Sequence, residues 1–258
     1  MVHKLRCLVP KEPHSVRRVA STIAVVVFSV LGATNVLQGQ GPGVHYQHHG
    51  VMPPGAIGTG QLQRGGPLRG YFQPVEIKAP PGALVSLATA GTFDEPQPAG
   101  SRVGLLIGQV YRLRVTSIPM QPGREVFPTI EVIDRLYTPQ GQQHRFAIPI
   151  QLTRTDLELA LGGNFVTRVI YLENPRNASP VREDPQAQNW FEAGPKQDPL
   201  AIADVLGRPV AILRLGGRLP NTGEGPDDAF LFGCPPFTQL PARTTSLPDK
   251  PAPEKVQP

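Results

Sequence analysis

Short stretches in which apolar and polar residues alternate fill the middle of this chain. Within residues 111–116 every second side chain is apolar, and the others are arginine or threonine. Successive side chains of a strand point to opposite faces, so this alternation predicts strands with one buried face. Strands are predicted over residues 75–79, 83–89, 103–117, 127–134, 146–152, 165–173 and 208–215.

Two of the predicted strands contain residues that disturb regular pairing. Residues 103–117 are predicted as one long strand, in which Gly104 and Gly108 mark a bulge or bend. Pro149 cannot donate to a sheet ladder, so residues 146–152 are predicted to lie at a sheet edge or at a bulge.

Two short helices are predicted between the later strands. Thr155 and Glu158 have the spacing of a capping box, and Gly162 supplies a stop. A second helix is predicted to begin with Asp198 as its cap and Pro199 in its first turn, and to end before the next glycine.

These elements predict a mainly β protein. We expect an antiparallel two-layer β-sandwich, immunoglobulin-like in general form, with one or two short helices and disordered N- and C-terminal arms. The chain has no Cys…Trp…Cys pattern, so membership of the true immunoglobulin family has no support.

Composition divides the chain into four parts. Its 27 glycines and 31 prolines disfavour a helical bundle, because both residues weaken helix interiors. We predict a signal peptide or N-terminal membrane anchor over residues 1–39 and a flexible Gly/Pro-rich linker over 40–70. The β-sandwich domain is predicted over 71–220, and a partly disordered Pro-rich tail over 221–258.

The N-terminus predicts export. Residues 19–31 form an apolar run after a basic flank, which is the length of a signal-peptide core and short for a bilayer span. The alternative is an uncleaved anchor over residues 19–37, and the protein would contact a membrane only there.

Charge argues against nucleic-acid binding. The chain carries a net charge of +5, of which +4 lies in residues 1–39 and only +1 in the rest. A nucleic-acid surface should place positive charge on the folded domain, so none is expected here.

Cys234 lies within an apolar segment of the predicted tail, and that segment has two interpretations. If Cys7 is removed with a signal peptide, Cys234 is the only cysteine left, and we expect a partly buried thiol without a disulfide. The apolar residues between Phe230 and Phe237 are unusual for a disordered tail. They either dock onto the domain and cover a sheet edge, or bind a partner.

The residue patterns of familiar catalytic sites are missing from the sequence. It has no Gly-x-Ser-x-Gly elbow, and the only histidine of the predicted domain, His144, is expected near a turn at the surface. No metal ligand set or cofactor is predicted. Trp190 and Phe191 form the only tryptophan-centred aromatic pair and are the candidate binding residues, for a sugar or a peptide. The competing interpretation is that this pair pins a loop to the core.

Several predicted strands resemble segments of a known family. Residues 108–115, 126–132, 165–172 and 207–215 are similar to an uncharacterised family of exported bacterial proteins of planctomycete type. The similarity covers about residues 75–220. It implies a bacterial envelope setting, and it carries over no activity and no functional residues.

The sequence therefore favours a non-enzymatic protein exported to the periplasm or cell envelope, with a structural or adhesive role. The first alternative is a glycan- or peptide-binding module that uses Trp190 and Phe191, and the second is an enzyme whose site is assembled from distant loops. The expected partner is an envelope protein or a glycan.

Overall fold

A computed structural model describes residues 53–98, 100–176, 193, 197–221, 223 and 225–241. The α-helices are α1 Ala56–Gln63, α2 Arg154–Leu161, α3 Pro199–Leu206 and α4 Asp228–Leu231, and Gln143–Arg145 forms a 3-10 helix. The strands are β1 Phe72–Lys78, β2 Leu84–Thr89, β3 Thr92–Phe93, β4 Gln97–Pro98, β5 Ser101–Leu106, β6 Val110–Thr116, β7 Thr129–Val132, β8 Ile148–Gln151, β9 Val166–Glu173, β10 Gly207–Leu215 and β11 Phe237–Gln239. No helix within these residues is both long and apolar enough to span a membrane.

The strands form two sheets. The first has the order β11-β5-β1-β8, and the second has the order β3-β2-β6-β7-β10-β9, with β4 also paired to β2. Neighbouring strands among the described residues are antiparallel, except that β1 and β8 run parallel, with Val75 opposite Ile148.

One hydrophobic core lies between the sheets. The first sheet contributes Val75, Ile77, Val103, Leu105, Ile148 and Ile150, and the second contributes Val85, Leu113, Val115, Ile130, Val132 and Leu213. Leu157 and Ala160 of α2 belong to the same cluster. Burial of each large apolar side chain contributes about 1.5–3 kcal/mol, so this interior dominates the stabilisation.

A third layer covers the outer face of the second sheet. Helix α3 packs against β9 and β10. Ile57 of α1, Leu200 of α3, Ile133 and Ile212 form a separate buried cluster, with Val169 of β9 packed against it. The second sheet is therefore buried on both faces here, which accounts for apolar residues at both alternations of β10.

The mainly β, two-sheet architecture predicted from the alternation is confirmed. One expectation within it is wrong: residues 103–117 are two strands, β5 and β6, which belong to different sheets. Gly108, with φ of 81°, turns the chain between them. The pattern could not show this, because both halves keep the same alternation on either side of the turn.

The edge position of Pro149 is confirmed, since β8 is the last strand of the first sheet. Helix α3 has Asp198 as its cap and Pro199 in its first turn, as predicted. Helix α2 is also present, but its cap is Thr153 rather than Thr155, and Asp156 completes the capping box.

The folded core is wider than the predicted range of 71–220. Helix α1 lies within the predicted linker of residues 40–70, and its Ile57 is 1% exposed. Helix α4 and strand β11 lie within the predicted tail of 221–258, and β11 pairs with β5 at the sheet edge. Composition was the wrong guide at both boundaries, because a few buried apolar residues anchor segments rich in glycine and proline.

Candidate functional site

A buried ion pair on the outer face of the second sheet fixes helix α1. Glu131 of β7 is fully buried, and its Oε2 accepts a hydrogen bond of 2.8 Å from Nη1 of Arg214 on β10. Its Oε1 accepts a 2.8 Å hydrogen bond from the backbone N–H of Gly58 in α1. The carboxylate therefore joins two strands to the helix that covers them.

Glycine is required where α1 meets the sheet. A Cβ atom on Gly58 would lie 2.8 Å from the Cα of Gly108 and 3.4 Å from Glu131 Oε1. A backbone neighbour cannot move aside as a flexible side chain can, so the close approach depends on the missing side chain.

Helices α1 and α3 enclose a cleft of about 420 Å³ with the ends of β7 and β10, a size common among small-ligand sites. Ile133 and Leu200 give it an apolar portion, and they belong to the buried cluster that holds the two helices on the sheet. The remaining lining residues are Gln61, Arg64, Gly65, Gly66, Pro67, Asp134, Tyr137, Asp204, Arg208 and Pro209.

Tyr137 provides an exposed aromatic ring at this cleft. It is 67% exposed, in contrast to the buried Tyr111. The guanidinium carbon of Arg135 lies 4.4 Å from the centre of the Tyr137 ring, and that of Arg208 lies 5.0 Å from it. Cation–π attraction at these distances orients the ring while leaving much of it accessible.

The charged groups of the cleft are held by bonds within the protein. Arg208 Nη1 donates to Asp134 Oδ2 and, at 3.1 Å, to the carbonyl of Arg135. Asp134 Oδ1 accepts from the backbone N–H of Arg135 at 2.7 Å. The cleft thus presents fixed polar groups rather than mobile side chains, which is the arrangement that recognition requires.

A buried arginine, Arg112, lies under helix α4. Arg112 Nε donates to the carbonyl of Phe230 at 2.9 Å, and its Nη1 donates to the carbonyl of Phe127 at 2.8 Å. Its guanidinium also contacts the rings of Phe230 and Phe232. Burial lowers the pKa of Arg112 to about 10, and the positive charge of Arg218 acts in the same direction. Arg112 stays protonated at neutral pH and anchors α4.

Helix α2 is tied to the sheet by a bidentate ion pair. Arg168 of β9 donates to both oxygens of Asp156, from Nε at 2.8 Å and from Nη2 at 2.6 Å. Thr153 Oγ1 donates to the same carboxylate at 2.7 Å. Asp156 is fully buried, so its charge serves to position α2.

The two candidate binding residues from the sequence, Trp190 and Phe191, lie outside the described residues. His144 is exposed on the 3-10 helix, and its carbonyl accepts a hydrogen bond from Arg102. Cys234 is a partly buried thiol, and its Sγ accepts a 3.4 Å hydrogen bond from the N–H of Gly91. Neither His144 nor Cys234 lines the cleft.

Two further carboxylates near strand and helix ends have structural contacts. Asp134, which follows the end of β7, pairs with Arg208. Asp227 caps α4, with Oδ1 accepting from the N–H of Phe230. Within the part of the chain that the structure describes, no three His, Cys, Asp or Glu side chains are placed to share a metal ion.

The cleft was not predicted from the sequence. Arg135 and Tyr137 stand two residues apart in the sequence, and this spacing alone indicated no site. Arg208 could not be connected to them, because it lies 74 positions after Asp134 in the sequence, and only the fold brings the two together.

Comparison with known proteins adds no relative to this description. No family model, curated protein or solved structure matches the chain.

Proposed function

We propose that this chain is a non-enzymatic protein of the bacterial cell envelope, exported by its N-terminal segment, whose β-sandwich has a structural or interaction role. We propose further that it contacts its envelope partner through the cleft at Tyr137. The observation that carries the proposal is the 67% exposed Tyr137 ring beside an apolar portion made by Ile133 and Leu200.

The contacts around the Tyr137 ring support this cleft as the binding site. An exposed aromatic ring next to oriented polar groups provides apolar contact area and hydrogen bonds at once. The ring is held by guanidinium groups, so little freedom is lost when a partner covers it.

The hydrogen bonds of the buried charged side chains support a role other than catalysis. Glu131, Asp156 and Arg112 hold α1, α2 and α4 in place. Each of them bonds to other parts of the fold, and such contacts serve architecture rather than a reacting substrate.

Sedimentation with envelope fragments tests the proposed function. The full chain is mixed with insoluble envelope fragments of the host bacterium, and the bound fraction is measured. Tyr137→Ala is expected to lower binding at least fivefold. Phe146→Ala, which removes a 44% exposed ring away from the cleft, should bind as the unchanged protein does.

Two results would contradict this assignment. Equal binding by the Tyr137→Ala variant would remove the cleft from the interaction. Loss of binding in Trp190→Ala alone would favour the glycan- or peptide-binding alternative that uses Trp190 and Phe191.

Export has its own test. Mass spectrometry of the native N-terminus, with fractionation of membrane from soluble envelope, should find the mature chain beginning after the apolar run of residues 19–31, or the intact run in the membrane fraction. Recovery of the uncleaved chain from the cytosol would contradict the proposal.

A further inference from the structure

We propose that the Tyr137 cleft recognises its ligand through a single carboxylate group. This inference rests on the proposed function and names the chemistry of the same site. Peptide C-termini and acidic sugars both carry such a group, and both belong to the kinds of partner expected in an envelope.

Arg208 supplies the first part of the argument. Its hydrogen bonds to described residues all use Nη1, which leaves Nε and Nη2 as donors without a partner there. Its side chain lines the cleft and is 38% exposed. The Nε and Nη2 edge of a guanidinium presents two parallel N–H groups, whose spacing matches the two oxygens of a carboxylate.

Arg135 supplies a second guanidinium beside the same ring. Its side chain contacts the rings of Tyr71 and Tyr137 but donates no hydrogen bond to a described residue, and its Nε is buried. Because this Nε is enclosed, Arg135 acts on an anion in the cleft through its positive charge and not through a hydrogen bond from Nε. Arg208 thus supplies unused donors beside Tyr137, and Arg135 supplies a second positive charge on the same ring.

The charge of the site selects a ligand with one negative charge. The charged residues that line the cleft, Arg64 and Arg208 against Asp134 and Asp204, balance one another, and Arg135 beside the Tyr137 ring adds one positive charge. A carboxylate neutralises it, whereas a cationic ligand would be repelled by it. The apolar portion at Ile133 and Leu200 then takes an uncharged part of the ligand.

Paired probes test the carboxylate directly. The full chain, labelled with ¹⁵N-arginine, is titrated with acetyl-alanyl-leucine and with its C-terminal amide, and in parallel with glucuronic acid and with glucose. The Nε–Hε resonances of Arg208 and Arg135 are assigned from the Arg208→Lys and Arg135→Lys variants.

We expect at least one carboxylate probe to shift the Arg208 resonance, and the Arg135 resonance less, with millimolar affinity, which is the usual strength for so small a ligand. Its uncharged partner should bind at least tenfold more weakly. Arg208→Lys keeps the charge but loses the paired donors, and it should weaken binding about tenfold. Arg154→Lys changes a surface ion pair remote from the cleft and should have no effect.

The peptide and sugar arms identify the source of the carboxylate. Equal shifts with the acid and its uncharged partner, or no shift with either acid, would overturn the inference. If envelope fragments still depend on Tyr137 in that case, the proposed function survives while the carboxylate does not. If binding by envelope fragments is also independent of Tyr137, both proposals fail.

Discussion

At the scale of single residues, the outer face of the second sheet carries charge that the fold has buried. The side chains of Glu131 and Arg214 are 0% and 4% exposed, and Nε and Nη2 of Arg214 have no hydrogen-bond partner among the described residues. Removing two charges from water is unfavourable, so the pair holds α1 in register more than it adds stability.

Arg214→Met is predicted to destabilise the fold by about 3–5 kcal/mol, because it leaves the Glu131 carboxylate buried without its cation. The double variant Glu131→Leu with Arg214→Met should lose less, about 1–3 kcal/mol, because only the Gly58 N–H is left without an acceptor. Urea unfolding measures both. A single variant as stable as the double variant would contradict the account.

Tyr111 gives a prediction for alkaline pH. Its hydroxyl donates to the carbonyl of Pro236 and accepts from the N–H of Leu106, each at 2.8 Å. Burial raises its pKa to about 12 from an ordinary value of 10, although the hydrogen bond from Leu106 acts in the opposite direction. The unfolded chain therefore loses this proton first, and folding stability falls as pH rises through that window.

Comparison with Tyr111→Phe isolates this effect. Between about pH 9 and pH 12 the unchanged protein should lose roughly 2–3 kcal/mol more of its free energy of unfolding than the variant does. Urea unfolding of both proteins across this range is the measurement. Parallel curves would show that the Tyr111 proton is not held by the fold.

At the scale of elements, local sequence signals predicted the presence of helices α2 and α3 but not the boundary of α2, and they missed α1 and α4. Asp198 and Pro199 began α3 as predicted, since a cap followed by proline has few other uses. For α2 the sequence predicted Thr155 as the cap, whereas the structure has Thr153 there, with Asp156 completing the capping box. The choice between the two threonines depends on Arg168, which pairs with Asp156 from a distant strand.

The two threonines therefore make a matched pair of variants. Thr153→Ala removes the side chain that accepts from the N–H of Asp156, and it should destabilise the fold by about 1–2 kcal/mol. Thr155→Ala changes an exposed helical position and should be neutral or stabilise it by a few tenths, because alanine favours helix.

Thermal or urea unfolding of these two variants decides which threonine is the cap. A greater loss of stability in Thr155→Ala than in Thr153→Ala would contradict the observed capping box.

At the scale of the whole molecule, the two-sheet architecture was predictable, but the pairing of distant segments within it was not. The alternation along β1 and β6 predicted strands with a face packed into the core, and alternation is a local property of the sequence. The parallel pairing of β1 with β8 and the passage of the chain between sheets at Gly108 depend on contacts between distant segments.

The cleft was unpredictable for the same reason. It combines α1, the residues after β7, α3 and the start of β10, and the segment that contains α1 was predicted as a linker. Its polar residues gave no motif, because recognition by arginine and tyrosine needs proximity in space and not spacing in sequence. Trp190 and Phe191 remain a prediction, since they lie outside the described residues.

The central claim is that segments on both sides of the predicted domain complete the sandwich, and that α1 creates the cleft by docking on Glu131. Hydrogen exchange at the Gly58 amide tests this most directly, because that N–H bonds to the buried carboxylate. We predict that in the full chain the Gly58 amide exchanges as slowly as the amides of β10, because the Glu131 carboxylate that it contacts is also bound by Arg214 of β10. Exchange of Gly58 at the rate of an unstructured chain, while β10 stays protected, would contradict the account.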